Sequence, residues 1–226
     1  METPGQTLHG VLQTIENAAK LAGRPAGVKL LAVSKTRSAA DVAALAAAGQ
    51  RAFGENYVQE GVAKARELAH LGLEWHLVGH LQSNKAREAA TWFDWVESVD
   101  RPKLVKALDE ARPADRPPLD VLIQVNVDDE ASKSGCAPAD VPALAAAIAA
   151  APRLRLRGLM AIPAPAPDPE QRRASFRALR RLFDELASAH PGVDTLSMGM
   201  SDDFPVAIAE GATLVRIGTA LFGPRG

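Results

Sequence analysis

Eight short runs of apolar and β-branched residues recur along this chain, and each except the last is followed by a longer stretch with helical spacing. That alternation is the strongest constraint on the fold. Strands separated by ten or more helix-forming residues do not pair as tight hairpins; they pair in parallel, with the helices packed on the sheet. The runs are KLLAVS (29–34), RAFGE (51–55), EWHLVG (74–79), FDWVES (93–98), DVLIQVNV (120–127), LRLRGLMAI (154–162), TLSMG (195–199) and TLVRIG (213–218). Between them, Val58, Val62, Ala65 and Ala69 fall on one helical face, as do Phe176, Leu179, Leu182, Phe183 and Leu186. The second of these helices is expected to stop at the breaker His190-Pro191-Gly192. Ser38, with Asp41 three residues on, reads as a capping box that opens another helix.

Eight such units in 226 residues are the repeat count of a (β/α)8 barrel, an α/β fold. A doubly wound open sheet is the rival. It would open on a glycine-rich first turn, whereas the first strand here runs into Lys35-Thr36-Arg37-Ser38. A further helical pattern over 7–22 precedes the first strand and is expected to cover one end of the barrel. The proline-rich pieces 112–118 and 163–169 are short and read as loops. The whole chain, 1–226, therefore reads as a single domain.

Composition narrows function by exclusion. Lys and Arg number 26 against 27 Asp and Glu, a formal charge of −1. Nucleic acid and anionic membranes demand a surplus of cations, so neither is expected as a partner. One cysteine, Cys136, excludes an internal disulfide framework and a cysteine-rich metal site, and fits a reducing cytoplasm. The first twenty residues contain Glu2, His9, Glu16 and Lys20 without a continuous apolar core, unlike a secretory signal. The longest apolar stretch, VPALAAAIAAA (141–151), is too short to cross a bilayer. A cytoplasmic location is expected.

Barrels of this type place functional groups at the C-terminal ends of their strands. Lys35 ends the first strand, where partial burial would lower its pKa and make its amine a nucleophile toward an aldehyde. The last two strands end in SMGMSDDF (197–204) and VRIGTALFG (215–223), the loops that commonly hold phosphate in barrels. Ser201 offers a hydroxyl at an expected helix N-cap, Gly218 admits a close ligand, and Thr219 follows it; backbone N–H groups there suit an anion. Asp202 and Asp203 would repel a phosphate and are expected to point away. Arg216 alternates to the face opposite Val215 and Ile217. A buried arginine is costly unless it is paired or meets a ligand. Asn56, in FGENYVQE (53–60), reads either as an N-cap or as an amide against a flat ligand. His76 and His80 have a metal-like spacing, but on a strand and its turn that spacing does not bring both rings to one side. Cys136 has no signature of an activated thiol.

The segments LLAVSKT, FGENYVQE, WHLVGHLQSNK, GLMAIP, LSMGMSDDF and VRIGTALFG, in this order, resemble the pyridoxal phosphate homeostasis proteins, also known as the YggS or proline synthetase co-transcribed proteins. The resemblance runs from about residue 28 to residue 223. It implies a barrel similar to the N-terminal domain of alanine racemase, with pyridoxal 5′-phosphate (PLP) as cofactor. By that resemblance Lys35 would form the Schiff base, and Ser201, Gly218 and Thr219 would hold the phosphate. Arg216 would face the pyridine nitrogen, Asn56 would lie near the ring, and Met198 or Met160 would line the pocket. A guanidinium only donates, so at that nitrogen it disfavours a ring proton and weakens the ring as an electron sink. This suits a carrier, or a racemase.

A carrier would hold the aldehyde, buffer free PLP and hand it to apo PLP-dependent enzymes, with indirect effects on amino-acid and keto-acid pools. A racemase needs a second acid/base on the opposite ligand face. Related racemases draw theirs from an added β domain and a partner subunit. Tyr57 is the only tyrosine, beside the site loop, and the chain ends shortly after the last strand. A barrel aldolase using Lys35 without PLP leaves the phosphate loops and Arg216 without a joint purpose. The expectation is a monomeric PLP carrier rather than an enzyme, with a racemase as the alternative.

Overall fold

The computed structural model describes residues 3–24, 27–128, 134–163 and 168–223. Most of the expected loop 163–169 lies outside them. The strands are β1 (Lys29–Val33), β2 (Ala52–Glu55), β3 (Glu74–Leu77), β4 (Trp95–Val99), β5 (Leu119–Gln124), β6 (Leu154–Met160), β7 (Thr195–Ser197) and β8 (Leu214–Ile217). The helices are α1 (Pro4–Leu21), α2 (Ala39–Ala47), α3 (Val58–Glu67), α4 (Ala86–Trp92), α5 (Pro102–Ala111), α6 (Val141–Ala149), α7 (Pro169–Ala189), α8 (Phe204–Ala209) and α9 (Thr219–Phe222). The strands form a closed barrel in sequence order, with β8 returning to pair parallel with β1, Leu31 opposite Arg216. This is the (β/α)8 fold expected from the alternation.

Two-residue periodicity sorts the strand side chains. Leu30, Ala32, Val121, Ile123, Leu159, Ala161, Val215 and Ile217 join the main core between the strands and the helices. Their alternates form small separate clusters, Leu31–Val78–Leu214 and Trp95–Leu122–Met160. These share strand faces with Val33, Gln124 and Arg216, which line the cavity at the barrel mouth, so they fill the lumen. Barrel lumens are usually packed with bulky branched residues. This one also encloses His76, Glu97, Ser197 and Arg216, all buried.

Ser38 and Asp41 form the expected capping box at the start of α2. α7 ends at Ala189, just before Pro191. Other boundaries moved. β4 begins at Trp95, two residues later than expected, and the Asp94 carboxylate just before it accepts from Trp75 N–H at 2.9 Å. Ala69 is exposed and Leu68 is buried in its place, because the chain tightens from α3 into a 3₁₀ turn. α1 starts at Pro4 behind a Thr3 capping box. It packs against α2, α8 and α9, so it joins the ring of helices rather than covering an end. Among the described residues no helix is long and apolar enough to cross a membrane.

Candidate functional site

All six residues expected at the site, Lys35, Asn56, Ser201, Arg216, Gly218 and Thr219, line one cavity of about 420 Å³ at the C-terminal ends of the strands. They come from the ends of β1, β2, β7 and β8, four segments brought together only by barrel closure.

Lys35 is half-buried between two residues that the fold grips. On one side Ser34 donates to Glu55 Oε1 at 2.5 Å, and its carbonyl accepts from Lys64 Nζ at 2.7 Å. On the other, Thr36 N–H donates to Glu60 Oε1 at 2.6 Å. Lys64 ties the two sides together, donating at 2.8 Å to both Glu55 and Glu60. Thr36 has φ +64°, a left-handed conformation rare for a β-branched residue and costing roughly 1–3 kcal/mol. The Glu60 and Lys64 contacts offset that cost and fix the turn that carries Lys35. Burial pushes the Glu55 carboxyl above its usual range, against the opposing pull of Lys64 and Ser34.

Arg216 is 4% exposed. It donates from Nη1 to Ser197 Oγ and from Nη2 to the Ala161 carbonyl, both at 2.7 Å. Among the described residues no carboxylate lies within 4.0 Å of it. Burial drives its pKa down, and Glu97 and Asp203 pull it back. Arg216 is thus a lumen-facing cation whose named partners are a hydroxyl and a carbonyl. Gly218 lies against β1, where an added Cβ would come 3.2 Å from the Val33 carbonyl. Across the mouth, an added Cβ at Gly79 would sit 2.0 Å from the Asn56 carbonyl, so only glycine lets the β2 and β3 loops meet there.

Several expectations are corrected. Asn56 does not cap α3; Tyr57 holds the N-cap position, without a side-chain cap bond. Ser201 does not cap α8, because Asp203 stands there and turns its Oδ1 to Met200 N–H at 2.7 Å. Asp203 points away from the cavity lining as expected, but Asp202 is part of that lining. Neither Met198 nor Met160 lines the cavity. Met198 faces the helices and Met160 lies in the lumen, one turn of the pleat below, while Met200 and Ile162 line it instead. Tyr57 is 63% exposed and not part of the lining.

His76 and His80 separate, as expected of their spacing. His76 is buried in the lumen, stacked on Trp95 with ring centroids 5.0 Å apart, while His80 lines the cavity mouth. Among the described residues no group of His, Cys, Asp and Glu is arranged to hold a metal ion. His80, Gln124 and Arg37 are among the residues of the cavity lining that sequence reasoning missed. Their positions just beyond, or at the end of, β3, β5 and β1 were the available signal. Cys136 is buried, and burial pushes its thiol up to about 12, which leaves it inert.

An amine on a strained turn, a buried cation and a cluster of hydroxyls and glycine backbone surround one cavity at the mouth of a closed parallel barrel. The family model for the alanine racemase N-terminal domain matches residues 10–226. A relative from Pseudomonas aeruginosa named pyridoxal phosphate homeostasis protein is 57% identical over 226 residues, covering 100% of this chain and 97% of the relative. One of the same name from Escherichia coli K12 is 52% identical over 229 residues, covering 100% and 98%. The solved structure of PipY from Synechococcus elongatus, with PLP bound, superposes with a TM-score of 0.78 at 40% identity, covering 93% of this chain and 100% of that one. The chain belongs to the pyridoxal phosphate homeostasis protein family.

Proposed function

We propose that this chain binds PLP in the mouth cavity, that residues 1–226 work as one PLP-binding domain, and that it serves intracellular PLP homeostasis as a carrier rather than as an enzyme. The observation that carries the reading is the convergence of the six expected residues on one cavity. Bound PLP supplies a reactive aldehyde. Lys35 offers the amine for it. Ser201 and Thr219 hydroxyls, with the backbone of Gly218, would hold the phosphate; the missing Cβ lets Gly218 pack against the Val33 carbonyl of β1. Arg216 would face the pyridine nitrogen and, being only a donor, keep a proton off it. Asn56 would lie beside the ring. The relatives' shared name and the PLP in PipY support this assignment.

The carrier would act as a cytoplasmic monomer and pass PLP to apo PLP-dependent enzymes. The inert Cys136 agrees with a reducing compartment. A racemase remains the second reading, and it needs a second acid/base on the other face of the ligand. Tyr57, the one tyrosine, is exposed outside the cavity lining.

Incubating the protein with PLP should give a yellow product. Borohydride should then fix a pyridoxyl group on Lys35, read by peptide mass spectrometry. A colourless protein without the adduct overturns the cofactor. Transfer of PLP to an apoenzyme, with no turnover in racemisation assays on several amino acids, is the expected outcome. Robust racemisation overturns the carrier.

A further inference from the structure

Glu97, on β4, is fully buried in the barrel lumen. A carboxylate in that position is costly unless both oxygens are matched. Its Oε2 accepts from Ser197 Oγ at 2.6 Å and its Oε1 meets His76 Nδ1 at 2.8 Å. Ser197 stands on β7, which is not a sheet neighbour of β4, so the Glu97–Ser197 bond crosses the lumen. The proton positions follow from chemistry alone. Arg216 can only donate, so Ser197 Oγ accepts from it and spends its single hydrogen on Glu97. The far side is closed too: His76 Nε2 lies 2.9 Å from Glu74 Oε1 at the opposite end of the barrel.

The result is a line of polar partners, Glu74, His76, Glu97, then the Ser197 hydroxyl, then Arg216, running from the barrel floor to the cavity. Arg216 has no direct ion pair among the described residues, and its two named partners are neutral oxygens. Glu97 and Asp203 both act on it without direct contact, and Glu97 stands one hydroxyl away. That distance matters. A carboxylate in direct contact would close the guanidinium into an ion pair. A carboxylate behind a hydroxyl keeps it charged and held while leaving it turned to the cavity.

We propose that Glu97 is a positioning residue of the cofactor pocket: acting through Ser197, it fixes the orientation of the Arg216 guanidinium toward the bound ring. This rests on the reading of the cavity as a PLP site. His76 has no contact with the cavity and serves to hold Glu97.

The test compares the full chain with Glu97→Gln, Ser197→Ala, Arg216→Lys and the double variant Glu97→Gln/Arg216→Lys. Folding is checked by circular dichroism, affinity by PLP titration, and the ring environment by the absorption band of bound PLP. Glu97→Gln and Ser197→Ala should each weaken PLP binding about ten- to a hundredfold and move the absorption band. The double variant should bind no worse than Arg216→Lys alone, because Glu97 acts only through that side chain. A purely structural carboxylate would leave the band unmoved and its loss would add to that of Arg216; either result overturns the role. Where Glu97→Gln does not fold, Ser197→Ala decides: wild-type affinity and band in that variant overturn the proposal. A wild-type chain that takes up no PLP overturns the cavity reading itself, an outcome distinct from wild-type uptake with unchanged variants.

Discussion

The two ends of the barrel lumen are both charged, and they treat charge in opposite ways. At the floor, Asp120 on β5 accepts from Arg155 and, at 3.0 Å, from Arg157, both on β6; Arg157 also pairs with Asp194 at 2.6 Å and lies over the Trp95 ring at 4.7 Å. Cation and anion close on each other there. At the mouth, Arg216 is answered by a hydroxyl and a carbonyl, and the Glu97 carboxylate is held back behind Ser197. Closed ion pairs at the floor fit a role in holding strands in register. A restrained cation at the mouth fits the binding of a ligand. The division follows the general rule that barrels keep chemistry at the C-terminal face and stability at the other.

Lys35 is the mouth residue with the largest expected effect. Lys35→Ala should abolish the borohydride-dependent pyridoxyl label entirely while the chain stays folded; intact-mass analysis that still finds one label would place the amine elsewhere. At the floor, Asp120→Ala leaves Arg157 and Arg155 without their shared carboxylate. It should cost about 2–4 kcal/mol of stability in denaturant unfolding, with PLP affinity changed less than about twofold, since it lies outside the cavity lining. A large loss of affinity there would erase the distinction between the two ends.

His76, which joins the two ends, sharpens the comparison through pH. Burial opposes its charged form, the hydrogen bonds it donates to Glu74 and Glu97 favour that form, and the balance raises its pKa. A raised folded-state value stabilises the fold fully below the unfolded value of about 6.5 and loses that contribution as pH rises through the folded value. Unfolding free energy should fall over that window in the parent protein and fall less steeply in His76→Gln; equal slopes would show that the ring does not titrate with folding. The smallest effect is at Cys136. With its thiol at about 12, it should resist a thiol reagent at pH 8 until the chain is unfolded, and rapid labelling of the native protein would show it to be accessible.

Much of the fold was legible because barrel strands carry period-two burial and each helix carries its own punctuation. The Ser38 capping box and the Pro191 stop are local signals, and both hold. The placement of Lys35 and Arg216 at the cavity was legible for a similar reason. A strand end and an alternating face are properties of a few consecutive residues. The errors fell where a side chain's role depends on the next loop. Asn56 and Ser201 looked like caps because they precede helices, yet each helix starts one or two residues later and frees them for the cavity. Met160 ends β6 and Met198 directly follows β7, but one points down the lumen and the other outward. Glu97 looked like an ordinary strand residue, since nothing near it in the sequence hints at Ser197, one hundred residues away.

Periodicity and breakers by themselves determined an α/β chain of eight units, the strand ends at which chemistry sits, and the residue types suited to an aldehyde and a phosphate. These depend on neighbours within about ten residues, where backbone geometry and solvent exposure act directly. Only the tertiary structure decided which residues face one another across the lumen. Closure of β8 onto β1 brings Arg216 beside Lys35's strand, and the lumen sets a carboxylate from β4 against a hydroxyl from β7. In a space from which water is excluded those pairings fix where each charge can rest, and with it the difference between a floor that holds the barrel together and a mouth built for a ligand.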